Sequence, residues 1–250
     1  MKYKLICIDM DGTLLNSKHK ISDISKKTLI KAHDMGVHIV ITTGRTYVDA
    51  EAYSDSMGLK SPIIAFTGAV IKEKYGENVI HKSIIDEQMC KELLEIFKKY
   101  NVKPIFNSLF KVYCGDLKIK IGMWYLKIRG FLNRNKKKIN YLRKELEKVE
   151  GIEITSSSKY NIEITKKGTS KGKAIEILAD HYNINKEEVI AIGDSENDIS
   201  AIEFAGMGIA MGNASEEVKK KSNFVTDTND NDGVAKAIEK FIFKNIDTKM

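Results

Sequence analysis

Four consecutive apolar residues, Leu5-Ile6-Cys7-Ile8, run directly into Asp9-Met10-Asp11-Gly12. An uninterrupted apolar run of this length is the pattern of a strand buried on both faces, as parallel strands between helices are. In open α/β sheets the ligand crevice lies outside the carboxyl ends of the strands, where Asp9 and Asp11 fall. Gly12 lets the chain leave the strand in a conformation that other residues resist. Two carboxylates about 4 Å apart repel by roughly 4 kcal/mol at an effective dielectric near 20. A divalent cation is the simplest remedy, and hard carboxylate oxygens suit Mg²⁺. The bland alternative is a strand end followed by an ordinary acidic turn.

The same rhythm recurs. A helical spacing capped by Ser22 and carried by Ile24, Thr28, Leu29, Ala32 and Met35 precedes the strand Val37–Ile41, which ends in Thr42-Thr43-Gly44-Arg45. A helix over Tyr47–Met57 precedes a third strand, Pro62–Phe66, ending in Thr67-Gly68-Ala69. Alternating strands and helices predict an α/β fold with a doubly wound parallel sheet. From Ser170 the pattern returns, with a helix to His181 and the strand Val189–Ile192, which ends in Gly193-Asp194-Ser195-Glu196-Asn197-Asp198. The helix Ile199–Phe204, the short strand Met207–Ala210 and the amphipathic helix Val234–Phe243 follow.

The middle of the chain differs. Val70-Ile71 and Val79-Ile80 flank a polar turn as a hairpin would, and Asp86–Tyr100 has helical spacing. Val102–Phe106 and Lys111–Cys114 suit paired strands, and Asn133–Val149 a basic helix. Ile152–Thr155 and Asn161–Thr165 alternate with a period of two, the mark of half-exposed antiparallel strands. The stretch Leu117–Phe131 is the least legible. Residues 83–167 are accordingly expected to form a separate α+β domain, inserted into a discontinuous core of 1–82 and 168–250.

Composition narrows the class. No apolar run reaches the roughly 18 residues a membrane span needs, and no cleavable leader precedes the first strand. Cys7, Cys90 and Cys114 lack the spacing of a disulfide framework or a zinc site, so the cytoplasm is the expected compartment. The net charge of +7 admits nucleic acid but equally attracts anionic small substrates.

Three apolar strands thus end in polar groups: Asp9/Asp11, Thr43-Gly44-Arg45 and Asp194/Asn197/Asp198. Parallel neighbours would bring these ends to one crevice, and a metal-assisted phosphate site explains the set more economically than three unrelated turns. Asp9, Asp11 and Asp194 would supply oxygens to Mg²⁺, and the metal would screen a phosphate so that an anionic nucleophile can approach it. A carboxylate can attack phosphorus and split one hard displacement into two. The Thr43 hydroxyl and Gly44 amide can donate to phosphate oxygens. Lys171, in Gly168-Thr169-Ser170-Lys171-Gly172-Lys173, offers a point charge to the phosphate or to Asp9.

Asp9-Met10-Asp11-Gly12-Thr13-Leu14-Leu15, Thr43-Gly44-Arg45, Ser170-Lys171-Gly172 and Gly193–Asp198 resemble, in order, the four motifs of the haloacid dehalogenase superfamily, and most closely its Cof-type (subclass IIB) sugar-phosphatase branch. The resemblance covers essentially the whole chain. It implies a Rossmann-like core with an inserted cap of the C2B type, and an enzyme that hydrolyses phosphate monoesters of small metabolites, sugar phosphates among them. By the same resemblance Asp9 is the nucleophile and Asp11 the general acid and base. Met10 contributes its main chain, Thr43 and Gly44 hold the phosphate, and Lys171 orients it and stabilises Asp9. Asp194 completes the Mg²⁺ ligands, Asn197 reaches the phosphate, and Asp198 supports the metal from its outer shell. Thr67-Gly68-Ala69 departs from the usual Asn-Gly-Ala, which bears on substrate contacts rather than on phosphate chemistry.

Other patterns have plainer explanations. The Gly168–Lys173 segment lacks P-loop spacing, and no Ser or Thr follows Lys173. Gly206, Gly208 and Gly212 are one residue too widely spaced for a dinucleotide fingerprint. The five histidines show no ligand spacing, Arg134–Lys138 fits a solvated helix face, and Trp124 and Tyr125 fit a core. The rival functions are a phosphomutase of the same superfamily and a non-catalytic nucleic-acid-binding module. The expected partner is a small phosphorylated metabolite, with no nucleic acid and no membrane, and the expected state is a monomer or homodimer.

Overall fold

A computed structural model describes residues 2–108, 112–114, 127–131, 136–158 and 160–244. In chain order the strands and helices are β1 (Leu5–Ile8), α1 (Asp23–Asp34), β2 (His38–Ile41), α2 (Tyr47–Ser56), β3 (Ile63–Ala65), β4 (Val70–Lys72) and β5 (Val79–Lys82). Then come α3 (Glu87–Lys99), β6 (Pro104–Asn107), β7 (Val112–Cys114), β8 (Lys127–Phe131), α4 (Lys136–Leu146), β9 (Ile152–Thr155) and β10 (Asn161–Lys166). The chain continues with α5 (Lys171–His181), β11 (Val189–Gly193), α6 (Ile199–Phe204), β12 (Met207–Ala210), α7 (Glu216–Lys221), β13 (Phe224–Val225) and α8 (Gly233–Ile238).

The main sheet has the order β13-β12-β11-β1-β2, and every pairing in it is parallel. Parallel sheets need cover on both faces. Accordingly β1 is buried throughout, with Ile6 and Ile8 packed on one side and Leu5 and Cys7 on the other. The third predicted strand, β3, lies parallel to the end of β2 but is only loosely joined to it. A parallel bridge between Thr42 and Ile64 and the Thr43 N–H to the Ile64 carbonyl join them, while β3 also pairs with β4, and β4 with β5, in an antiparallel three-stranded sheet.

A second sheet, β7-β6-β8-β10-β9, is antiparallel throughout. Helices α3 and α4 pack on it through Leu93, Phe97, Leu142 and Leu146, in a core of its own drawn from residues between Ile85 and Ile164. The alternation of β10 is real, but its polar residues are not in solvent. Asn161, Glu163 and Thr165 are as buried as Ile162 and Ile164. Their face is turned toward the parallel-sheet unit, which is why the expectation of a half-exposed strand fails there. β8, inside the stretch that resisted interpretation, lies between β6 and β10. Trp124, Tyr125 and Arg134 lie outside the described residues. No helix among the described residues is long and apolar enough to cross a membrane.

Candidate active site

β1 and β11 are adjacent, with Ile8 opposite Ile192, so their ends deliver Asp9 and Asp194 to one place. The Asp9 N–H continues the ladder to the Ile192 carbonyl at 3.0 Å. Beyond it the chain curls: the Leu14 N–H donates to the Asp9 carbonyl, and the Thr13 and Leu15 N–H groups to that of Met10. Gly12, at φ 81°, makes the curl possible, and a Cβ there would lie 2.5 Å from Asp194 Oδ2. The Thr13 hydroxyl donates to Asp194 Oδ1 at 2.9 Å.

Asp9, Asp194 and Asp198 place carboxylate oxygens within 4.8 Å of one another. Lys171 Nζ donates to Asp9 Oδ1 and to Asp198 Oδ1, both at 2.5 Å, from a fully buried side chain. It stands at the first position of α5, which Ser170 caps by accepting from the Lys173 N–H. Asp198 Oδ2 accepts from the Asp194 and Ser195 N–H groups, so its turn is built around its own carboxylate. Burial, with repulsion from Asp198 next, drives the Asp9 carboxyl well above its ordinary range. The same two causes push Asp194 up to about 7. Burial alone would lower Lys171; attraction from Asp198 and Asp9 outweighs it and holds the ammonium above its usual value. Three carboxyl groups against one ammonium would carry a surplus of negative charge if all were ionised, and burial together with that surplus is what raises Asp9 and Asp194. That donor set, all oxygen and all carboxylate, fits Mg²⁺.

Asp11 is placed differently from the expected carboxylate ligand. Its side chain is 48% exposed, against 7% for Asp9, and lies outside the cluster. Arg45 holds it with two bonds, one from Nε at 2.7 Å and one from Nη2. The curl after Met10 ends strand geometry, so residues two apart no longer share a face. Asp198, expected outside the ligand set, sits within the carboxylate cluster. Met10 buries its side chain in the core and spends its carbonyl on the curl, which leaves its N–H for any main-chain contact to a ligand.

The second wall comes from β2 and β3. The Thr43 N–H donates to the Ile64 carbonyl, its carbonyl accepts from Thr67, and Thr43 Oγ1 accepts from the Arg45 N–H at 3.1 Å. The buried side chain of Asn197 accepts from the Ser195 hydroxyl at 2.8 Å. Two contacts bring the antiparallel unit onto this turn: Arg143 of α4 pairs with Glu196, and the Asn197 N–H donates to the Ser156 carbonyl. Between the units lies a cleft of about 410 Å³ whose lining includes Asn140, Ser157, Ser158, Asn161, Asn213 and Asp194. Arg143, Lys127 and Glu163 were not singled out from the sequence, where Glu163 falls on the polar face of β10, opposite Ile162 and Ile164.

Carboxylates at the ends of adjacent parallel strands, beside a separate antiparallel unit, suit a hydrolase of phosphate esters built on an α/β core. The chain belongs to the haloacid dehalogenase-like hydrolases, whose family model matches residues 6–127 and 116–238, and within them to the Cof-type branch. It is similar to the 5-amino-6-(5-phospho-D-ribitylamino)uracil phosphatase YcsE of Bacillus subtilis, with 37% identity over 96% of both chains. A phosphoglycolate phosphatase of Methanobrevibacter smithii is 31% identical over 97% of this chain and 100% of its own. Among solved structures, a haloacid dehalogenase-like hydrolase from B. subtilis superposes with a TM-score of 0.88 at 30% identity, covering 96% of this chain and 100% of that one. A subclass IIB sugar phosphatase superposes at 0.83 with 27% identity, over 95% and 98% of the two chains. The protein is a phosphatase of small phosphorylated metabolites.

Proposed function

We propose that the chain is a Mg²⁺-dependent phosphatase in which Asp9 attacks phosphorus, and that its substrate is a phosphorylated polyol or sugar. The convergence of Asp9, Asp194 and Asp198 on one buried point, with Lys171 against two of them, carries this reading. Asp9 and Asp194 would hold the ion, with Asp198 supporting them. When bound, Mg²⁺ supplies positive charge to the carboxylates and to the phosphoryl oxygens.

The remaining work falls to the chain's own residues. Lys171 favours the ionised form of Asp9 and fixes its oxygen. Thr43, Gly44 and Asn197 would line the place where phosphoryl oxygens come to rest, and the Met10 N–H would add a main-chain donor. Asp9 forms a bond to phosphorus as the bond to the leaving oxygen breaks, and Asp11 at the mouth gives that oxygen its proton. Asp11 then takes a proton from the water that attacks the aspartyl-phosphate, which releases inorganic phosphate and restores Asp9. Residues 83–167 act as the cap. Their hydroxyl- and amide-rich side of the cleft suits a polyhydroxylated leaving group, in keeping with the ribityl compound named for the B. subtilis relative. The cytoplasm and a monomer or homodimer complete the reading.

The test is phosphate release from a panel of phosphorylated polyols, sugars and glycolate, with Mg²⁺ or with chelator. Asp9→Asn should lose at least about 10³-fold in kcat, the scale set by removal of a nucleophile. Full activity in that variant would end the proposal. Appearance of an isomeric sugar phosphate in place of inorganic phosphate would make the enzyme a mutase.

A further inference from the structure

The cap carries an ion pair sealed from water directly above the Thr43-Gly44 turn. Lys127 on β8 and Glu163 on β10 meet at 2.6 Å, with side chains 0% and 2% exposed. All three Lys127 ammonium donors have a partner: Glu163 Oε2, the Gly44 carbonyl at 3.0 Å and Thr67 Oγ1 at 2.8 Å. Glu163 is fixed at both oxygens. Oε2 also accepts from Thr67 Oγ1 at 2.9 Å, and Oε1 accepts from Ser157 Oγ at 2.8 Å and from Asn161 Nδ2 at 3.2 Å. Two residues of the cap thus hold two loops of the parallel-sheet unit.

A buried ion pair adds little net stability over an apolar pair of similar volume. Its place is better explained by what it touches. The Gly44 carbonyl belongs to the same planar peptide as the Arg45 N–H, and that N–H donates to Thr43 Oγ1. A hydroxyl that accepts this bond keeps its single proton for another acceptor. The line from the cap ammonium to the Thr43 proton therefore passes through one rigid peptide. A Cβ at Gly44 would stand 2.9 Å from Lys127 Nζ and would push the ammonium from its present place. The other loop is strained: Phe66 and Thr67 hold left-handed backbone, at φ 52° and 59°, and the Thr67 hydroxyl is bonded to both members of the pair. Thr67, the departure from the usual Asn, is thereby occupied by the cap.

We propose that Lys127, held by Glu163, is a positioning residue that couples seating of the cap to the phosphate turn: it fixes the Gly44–Arg45 peptide and so aims the Thr43 hydroxyl at the phosphoryl group. The proposal rests on the reading of Thr43 and Gly44 as phosphate ligands. It gives the cap a part in phosphate binding as well as in choosing the leaving group.

A double-mutant cycle between Lys127→Met and Thr43→Val tests it, with p-nitrophenyl phosphate turnover and inhibition by inorganic phosphate as readouts. Lys127→Met alone should lower kcat/KM and weaken phosphate inhibition, each by about 10–100-fold, the scale for partners that orient a ligand group. In the Thr43→Val background the same change should cost less than about threefold, because residues in one network do not add. Equal losses in both backgrounds would mean that Lys127 only anchors the cap, and would overturn the proposal. Thr43→Val without effect on either readout would instead remove the phosphate-turn reading beneath it. Lys127→Met strands a buried glutamate, so the Lys127→Met/Glu163→Met double variant serves as the folded control. It should melt near the wild type and remain as slow as Lys127→Met; wild-type rates in it would equally overturn the proposal.

Discussion

Replacing Lys171 by Met removes an ammonium that lies 2.5 Å from both Asp9 and Asp198 and keeps the rest of its volume. Breaking a buried ion pair from one side costs about 3–5 kcal/mol, because the remaining charge is left uncompensated. For a chain of this size each kcal/mol moves the melting temperature by roughly 2–4 °C, so the loss should be about 6–20 °C in chelator. Mg²⁺ then takes over the missing charge. At a free concentration near 100 times its Kd it restores about 2.7 kcal/mol, or roughly 5–11 °C. Thermal melts at pH 7.5, in chelator and across a Mg²⁺ series, measure both quantities. Asp194→Asn is the control: with one carboxylate gone, its Mg²⁺ shift should shrink. The charge assignment would be refuted by a Lys171→Met melt within about 2 °C of wild type in chelator. So would equal Mg²⁺ shifts in the two variants.

Two further outcomes follow from the same geometry. Asp9 and Asp194 have carboxyl groups raised above their ordinary range by burial and by Asp198, so the metal-free native state binds protons that the unfolded chain does not. The stability that Asp194 contributes is complete below the ordinary carboxylate pKa near 4 and is lost as pH rises through about 7, and Asp9 acts in the same direction. Melts in chelator should therefore fall between pH 5 and pH 8, Mg²⁺ should flatten the fall, and a profile that rises over this range would contradict the burial described. Gly68 has φ 95°, and a Cβ there would stand 2.2 Å from the Ser170 carbonyl oxygen. Gly68→Ala should cost about 2–5 kcal/mol from left-handed strain and overpacking. Because Ser170 caps the helix that carries Lys171, phosphatase activity should drop even at temperatures where the variant stays folded; unchanged turnover would show that the contact relaxes without moving Lys171.

The centre of the parallel sheet, β11, β1 and β2, was legible because its strands are almost wholly apolar and each stops at a chemically distinct end, whereas the two-residue edge strand β13 left no such mark. Burial on both faces writes that pattern without ambiguity. The Val70–Ile80 hairpin and helix α3 were legible for similar reasons: a polar turn in one case, a strong apolar stripe closed by Asp86 in the other. Side-chain direction beyond a strand end was not. Asp11 follows Asp9 by two residues, yet the curl at Gly12 sends it to Arg45, a turn that no spacing rule encodes. Ile24 and Met35 kept helical period with Leu29 and Ala32 but are 55% and 37% exposed, because the buried stripe of α1 runs through Ser25, Thr28, Leu29 and Ala32. β10 shows the deepest limit. Period-two alternation reports which residues share a face, not whether water or another unit meets that face. Glu163 therefore looked like a surface residue until the units were seen together.

The β1–β11 pairing has a consequence for how the molecule comes into being. Strand β1 is made first, but the neighbour opposite it lies more than 180 residues later, with Leu5 facing Val189. At about 5–20 residues per second of synthesis, β1 waits roughly 10–40 s for that partner. Of its two strand neighbours only β2 exists in the interval, so one edge of β1 stays unpaired while the residues of the antiparallel unit are made. Joining such distant segments is intrinsically slow. A nascent chain thus holds Asp9 long before it holds Asp194, and hydrolytic competence arrives only when its last third has emerged.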